Sequence, residues 1–182
     1  MIDITMPLAA VRVALAILLM AGVVHKLRDM TALRGAIASY LRDTPFQGAQ
    51  LIATLAAAIT AAEAVTALAI AASWVAPFTV FGAVLGAALF MFYAAVMAYN
   101  IARGNRIADC GCSFGGQQKQ TVGWPLVLRN VVLALLATSV AIPARPSALD
   151  WMGVVGFAAL LLLMYAIWNE LHANRVVTGE QH

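Results

Sequence analysis

Charge is scarce in this chain. Of its 182 residues only 10% are Asp, Glu, Lys or Arg, while 63% are hydrophobic and the mean hydropathy is +0.89; an ordinary soluble domain carries about 25% charged residues. That scarcity excludes a water-soluble globular fold. The 11 basic residues exceed the 8 acidic ones, but they are scattered between hydrophobic runs and form no patch, so a nucleic-acid partner is excluded as well. Cysteine is nearly absent too. Two residues, both in one polar stretch, exclude a disulfide-stapled scaffold. There is also no long polar segment. Each membrane span consumes about 20 residues, so five nearly exhaust the chain and leave no room for a second folded domain. The expectation is one transmembrane domain over residues 1–182 with the lipid bilayer as its surroundings.

The hydrophobic runs divide into five spans, at about residues 7–24, 49–72, 75–99, 124–142 and 151–168. All four tryptophans, Trp74, Trp124, Trp151 and Trp168, fall at span ends, where an amphipathic ring sits between headgroups and hydrocarbon. Pro7, Pro77 and Pro125 lie near span starts, where a missing N–H leaves no additional donor unsatisfied. The first run opens on Met1-Ile2-Asp3-Ile4, carries Arg12, and shows no small-residue cleavage site before His25-Lys26, so it reads as a retained helix rather than a signal peptide. The fold class expected is an all-α integral membrane bundle of about five helices. Between the first two spans, Leu33, Ile37, Tyr40 and Leu41 recur at helical spacing opposite Arg34 and Arg42, the pattern of an interfacial helix. Gly82 and Gly86 form a GxxxG in the third span that lets another helix approach closely.

Five spans put the connection after span one, the connection after span three and the C-terminal tail on one side of the membrane. That side carries Lys26, Arg28, Arg34, Arg42, Arg103, Arg106, Lys119 and Arg175, while the other carries Arg145. By the positive-inside rule the richly basic side faces the cytoplasm. Three charges fall inside spans: Arg12, Glu63 and Arg129. An unpaired charge at hydrocarbon depth costs about 3 kcal/mol or more, so each needs a partner or a polar cavity. Depth counted from the span ends matches Arg12 with Glu63, either as a structural ion pair between spans one and two or with Glu63 as a carboxylate in a proton path. Arg129 lies five residues into span four, about 7–8 Å below the preceding loop, and either faces that loop or snorkels to the headgroups.

The loop before Arg129 holds Asp109-Cys110-Gly111-Cys112. Three readings are open. Cys110 and Cys112 cycle between dithiol and disulfide across Gly111, whose missing Cβ lets the sulfurs approach around a small ring. A strained ring is a ready oxidant of other dithiols, and Arg103, Arg106, Lys119, His25 and Arg129 would favour a thiolate against the opposing charge of Asp109. Alternatively the two thiolates bind a soft metal with His25 or His172, although no ligand spacing supports a metal site. In the third reading the pair is a minor staple or two idle thiols.

Asn100-Ile101-Ala102-Arg103-Gly104, then Asp109-Cys110-Gly111-Cys112-Ser113-Phe114-Gly115, then Leu128-Arg129-Asn130, resemble the methylamine utilisation protein MauE family, which is allied to the DoxX-like membrane proteins. Gly22-Val23-Val24-His25-Lys26-Leu27 and Glu63 add to the likeness, and Ser113 stands as a one-residue insertion against the family's Asp-Cys-Gly-Cys-Phe-Gly. The resemblance implies a multi-pass protein of the bacterial inner (cytoplasmic) membrane. It would support maturation of the disulfide-rich small subunit of methylamine dehydrogenase, together with a thioredoxin-like partner of the MauD type. Cys110 and Cys112 would then be the catalytic pair with Arg129 beside them, and Asp109, Gly111, His25, Glu63 and Arg12 would support them. By analogy with vitamin K epoxide reductase and DsbB, a quinone would be the electron acceptor. The rival is a non-enzymatic assembly factor for the same pathway. Disulfides of an exported dehydrogenase form in the periplasm, which opposes the charge count for the cysteine loop; the residue-level likeness favours the periplasmic side.

Overall fold

A computed structural model describes residues 4–41, 45, 47–75, 78–104, 123–144, 146–147 and 150–179, with side chains described as far as residue 171. Among these residues there are six α-helices and no strand: α1 (Thr5–Arg28), α2 (Met30–Tyr40), α3 (Ala49–Ala71), α4 (Phe78–Ala102), α5 (Trp124–Thr138) and α6 (Trp151–Gly179). Short 3₁₀ turns, Ala72–Trp74 and Ser139–Ala141, extend α3 and α5. Five of the helices are long and apolar enough to cross a membrane. They coincide with the five expected spans to within a few residues, and the protein is an all-α membrane bundle.

Local chemistry explains the boundaries. Pro7 sits in the first turn of α1 and Pro125 in that of α5, where no intrahelical donor is lost. Asp29 breaks α1 from α2: its backbone leaves the helical region, its own N–H bonds the His25 carbonyl, and its side chain accepts the Ala32 N–H at 2.9 Å as an N-cap. As a result α1 runs to Arg28, four residues past the expected end, and this carries Lys26 into the bundle. Lys26 is buried rather than facing a headgroup region, which corrects its place among the topology-setting charges and leaves seven basic residues on that side against Arg145.

The helix expected at the interface is α2. Leu33 and Ile37 are buried against Ala56, with Leu41, Ile52, Leu55 and Ile59 around them, so α2 lies along the loop-side end of α3. The spanning helices pack in the order α6, α1, α3, α4, α5, and α5 returns to α1 to close a four-helix ring with α6 outside it on α1. Lipid is as apolar as leucine, so helices associate here through close packing and polar contacts rather than through hydrophobic expulsion. Gly82 shows the closeness: a Cβ there would stand 2.9 Å from the Ala69 carbonyl oxygen of α3. At Gly86 a Cβ would meet Ala137 of α5 at 3.0 Å and Ile70 of α3 at 3.3 Å, so the two glycines bring α4 onto both neighbours. The α1–α6 seam is likewise made of small residues, with Ala9, Ala10 and Ala14 against Val154 and Ala158.

Candidate functional site

The three intramembrane charges occupy two sites, and the expected Arg12–Glu63 pair does not form. Arg12 donates to the backbone carbonyls of Ala144 at 3.3 Å and Val140 at 3.1 Å and to that of Ile142. It thereby ties α1 to the 3₁₀ turn that follows α5 and to the residues just beyond it, where carbonyls past a helix end lack intrahelical partners. Its guanidinium also lies 5.3 Å over the Trp74 ring, which packs against Trp151 at 5.4 Å. A carbonyl cluster at a helix end carries no residue signature, so sequence pattern misses this partner set.

Glu63 pairs instead with Lys26, fourteen positions from Arg12 on the same helix and therefore about 21 Å away along its axis. Glu63 Oε1 accepts from Lys26 Nζ and from the Tyr93 hydroxyl at 2.5 Å, and Lys26 Nζ lies 5.5 Å over the Tyr93 ring. Three helices, α1, α3 and α4, meet in this triad, and both charged side chains are about 97% buried. Glu63 Oε2 has no hydrogen-bond partner among the described residues.

Arg129 lies across the bundle. It is buried, donates to Asn169 Oδ1 of α6, and stacks 5.1 Å over the Tyr165 ring. The neighbouring Asn130 donates to the Leu126 carbonyl at 2.9 Å and approaches Met97 Sδ at 3.5 Å, which fastens α5 to α4. Between the triad and Arg129 is a chamber of about 30 Å³ lined by Gly22, Lys26, Glu63, Tyr93, Arg129 and Asn130, with Tyr165 also on its wall. All five spans therefore contribute a polar side chain to one buried centre containing two cations and one carboxylate.

Two apolar spaces flank it. A groove of about 230 Å³ runs between α5 and α6 over α1, from Arg129 and Trp168 at one end to Leu136 and Leu161 at the other. A second space, about 210 Å³, lies under α2 and reaches Lys26 and Tyr93. Arg129 lines both the first groove and the central chamber, so it faces the bundle interior rather than snorkelling to headgroups.

Asp109, Cys110, Gly111 and Cys112 lie outside the described residues, in the segment that joins α4 to α5. His25 is exposed on the last turn of α1, one residue before buried Lys26; His172 lies beyond the described side chains. Among the described residues no cluster of three His, Cys, Asp or Glu side chains is present. Sequence reasoning passed over Lys26, Tyr93, Tyr165 and Asn169. A signal existed for Lys26: helical periodicity continues unbroken from Val23 to Arg28 and places it one turn beyond Gly22 and Val23.

A family profile described as "Methylamine utilisation protein MauE" matches residues 4–143, from just before α1 to two residues past the 3₁₀ turn after α5. The chain is 37% identical over 156 residues to methylamine utilization protein MauE of Paracoccus denitrificans, covering 85% of this chain and 80% of that protein. It is 40% identical over 83 residues to the protein of the same name from Methylorubrum extorquens, covering 44% of each. No solved structure matches.

Proposed function

Because the chain belongs to the methylamine utilisation protein MauE family, we propose that it serves methylamine utilisation as a membrane thiol-disulfide oxidoreductase, with Cys110 and Cys112 as the redox pair. The observation that carries the reading is one of sequence and connectivity. The only two cysteines stand one glycine apart in the segment joining α4 to α5, and Arg129, a buried cation, begins five residues into the helix that follows. A cation near a thiol stabilises the thiolate, the form that attacks disulfides.

The cycle is written as follows. A dithiol on a thioredoxin-like partner attacks the Cys110–Cys112 disulfide, forming a mixed disulfide and freeing one cysteine as a thiolate. The partner's second thiolate then displaces the other cysteine, so the partner leaves oxidised and Cys110 and Cys112 are left as a dithiol holding two electrons and two protons. The partner passes its disulfide to the small subunit of methylamine dehydrogenase. Reoxidation needs a two-electron, two-proton acceptor of the quinone class. The residues fit such a group: the groove between α5 and α6 is apolar along its length for an isoprenoid tail and ends on Arg129 and Trp168 for a carbonyl-bearing ring. The protein is multi-pass, and we place it in the bacterial inner membrane. Glu63, Lys26 and Tyr93 hold the helices that frame this end of the bundle.

The test replaces both cysteines with serine in a host that depends on the protein. The proposal expects the dehydrogenase small subunit to accumulate with reduced cysteines. Normal disulfide content would rule out the oxidoreductase and leave a non-enzymatic assembly factor.

A further inference from the structure

A stripe on α4 carries the second apolar space, the one under α2, up to the membrane surface. Phe92, Val96, Tyr99 and Arg103 recur at i, i+4, i+7 and i+11, which puts them on one helix face. Arg103 stands one residue past the end of α4, and its N–H still bonds the Tyr99 carbonyl at 3.2 Å, so the face continues to it. Phe92 and Val96 line the space of about 210 Å³, and Ala36, Ile37 and Tyr40 of α2 line its other side. Since α2 packs on α3 and α1, the space separates it from α4. Phe92, at the α4 edge, is exposed, so the slot opens sideways to hydrocarbon. Lys26 and Tyr93 close its deep end, with their polar atoms turned to Glu63. Tyr93 and Arg103 are ten positions apart, about 15 Å along the helix axis, or half of a hydrocarbon core of roughly 30 Å. The slot is therefore one leaflet deep.

We propose that this slot binds one anionic phospholipid of the surrounding bilayer, with an acyl chain between α2 and α4 and the phosphate on Arg103. The apolar part follows from the lining: walls left without a neighbour forfeit their dispersion contacts, and a closed apolar cavity of about 150 Å³ already takes up benzene. The head follows from charge. Arg103 is exposed, its guanidinium lies 4.6 Å over the Tyr99 ring, and it makes no ion pair among the described residues. A guanidinium fork matches two phosphate oxygens at once. Arg28 and Arg34, both exposed on the same side of the membrane, add to the positive field. A zwitterionic lipid brings its own ammonium to this field and gains less from it. The bound chain fills the gap behind Ala36 and Ile37, so the lipid joins α2 to α4, which it otherwise faces across empty space. The site stands independently of the cysteine chemistry.

Photocrosslinking of the full-length protein in phosphatidylcholine nanodiscs tests it. The discs carry a trace of phosphatidylglycerol with a diazirine at mid-chain or, separately, of phosphatidylcholine with the same label, and the labelled peptides are mapped by mass spectrometry. The expected result is labelling concentrated on residues 33–41 and 92–97, about fivefold stronger from the phosphatidylglycerol probe, the factor that one basic residue contributes at an anionic surface. Arg103→Gln, at an exposed position, should bring the two probes level without disturbing the fold. Ala36→Trp should fill the slot and remove the labelling of residues 92–97. Labelling spread evenly over the lipid-facing helices, equal labelling by the two probes in the unaltered protein, a preference that survives Arg103→Gln, or an unlabelled slot filled by the chain's own residues would each overturn the proposal.

Discussion

Glu63→Gln and Lys26→Met, singly and together, test the central ion pair most sharply. Glu63→Gln leaves an ammonium at hydrocarbon depth with its carboxylate gone. A lone charge there costs about 2.5–3.5 kcal/mol on translocon scales, and breaking a buried pair from one side costs about 3–5 kcal/mol in proteins generally. The expected loss is therefore about 3 kcal/mol. Lys26→Met leaves the buried carboxylate with the Tyr93 hydroxyl as its direct donor and should cost a similar amount, about 3 kcal/mol. The double variant removes both charges and loses little more than polar contacts of about 0.6 kcal/mol each, so the cycle should show a favourable coupling of about 2 kcal/mol or more. Arg12→Gln supplies the control. Arg12 is about 21 Å along α1 from Lys26, and it should add to Glu63→Gln within about 0.5 kcal/mol. The assay is equilibrium unfolding in bicelles. Additivity of Lys26 with Glu63, or strong coupling of Arg12 with Glu63, would refute the assignment.

Other outcomes follow from the packing. Gly82→Leu should separate α3 from α4, because even a Cβ would overlap the Ala69 carbonyl; overpacking costs typically about 1–3 kcal/mol, read in the same unfolding assay. Arg12→Met strips the carbonyls of Val140, Ile142 and Ala144 of a charged donor and should cost about 1.5–3 kcal/mol, with faster amide exchange confined to the end of α5 and its turn. Leu33→Ala should loosen α2 from α3 with little change in global unfolding, seen as lost amide protection at residues 30–40 alone. A membrane-impermeant thiol reagent applied to intact cells should label Cys110 and Cys112 on the periplasmic face. Labelling only after lysis would return the loop to the side that the basic residues indicate.

How far the sequence was readable depended on the kind of signal each feature leaves. The spans were legible because bilayer thickness imposes a run of apolar residues and because Trp74, Trp124, Trp151 and Trp168 mark the interfaces. The α2 face was legible from the spacing of Leu33 and Ile37, and the close approach of α4 from Gly82 and Gly86. For Arg129 the sequence offered the loop or the headgroups; the structure turns it to the bundle interior instead, against Asn169 and Tyr165. The pairing of the charges was not legible. Depth arithmetic joined Arg12 to Glu63 because hydropathy ended the first span at Val24, and a lysine two residues later looked like a headgroup contact. Helical hydrogen bonding does not stop where hydropathy does: Asp29 ends α1, and Lys26 reaches inward from its last turn. The partners of Arg12 are backbone carbonyls, which every residue carries and no motif announces.

The account stands on Cys110 and Cys112 as an exchanging pair, and the most direct measurement traps the exchange. With Cys112→Ser and, separately, Cys110→Ser in membranes from cells grown on methylamine, one of the two variants should accumulate a covalent adduct. That adduct should release a thioredoxin-like protein on reduction and be absent from the double serine variant. No adduct from either single variant, together with fully oxidised dehydrogenase small subunit in cells carrying the double variant, would contradict the oxidoreductase assignment.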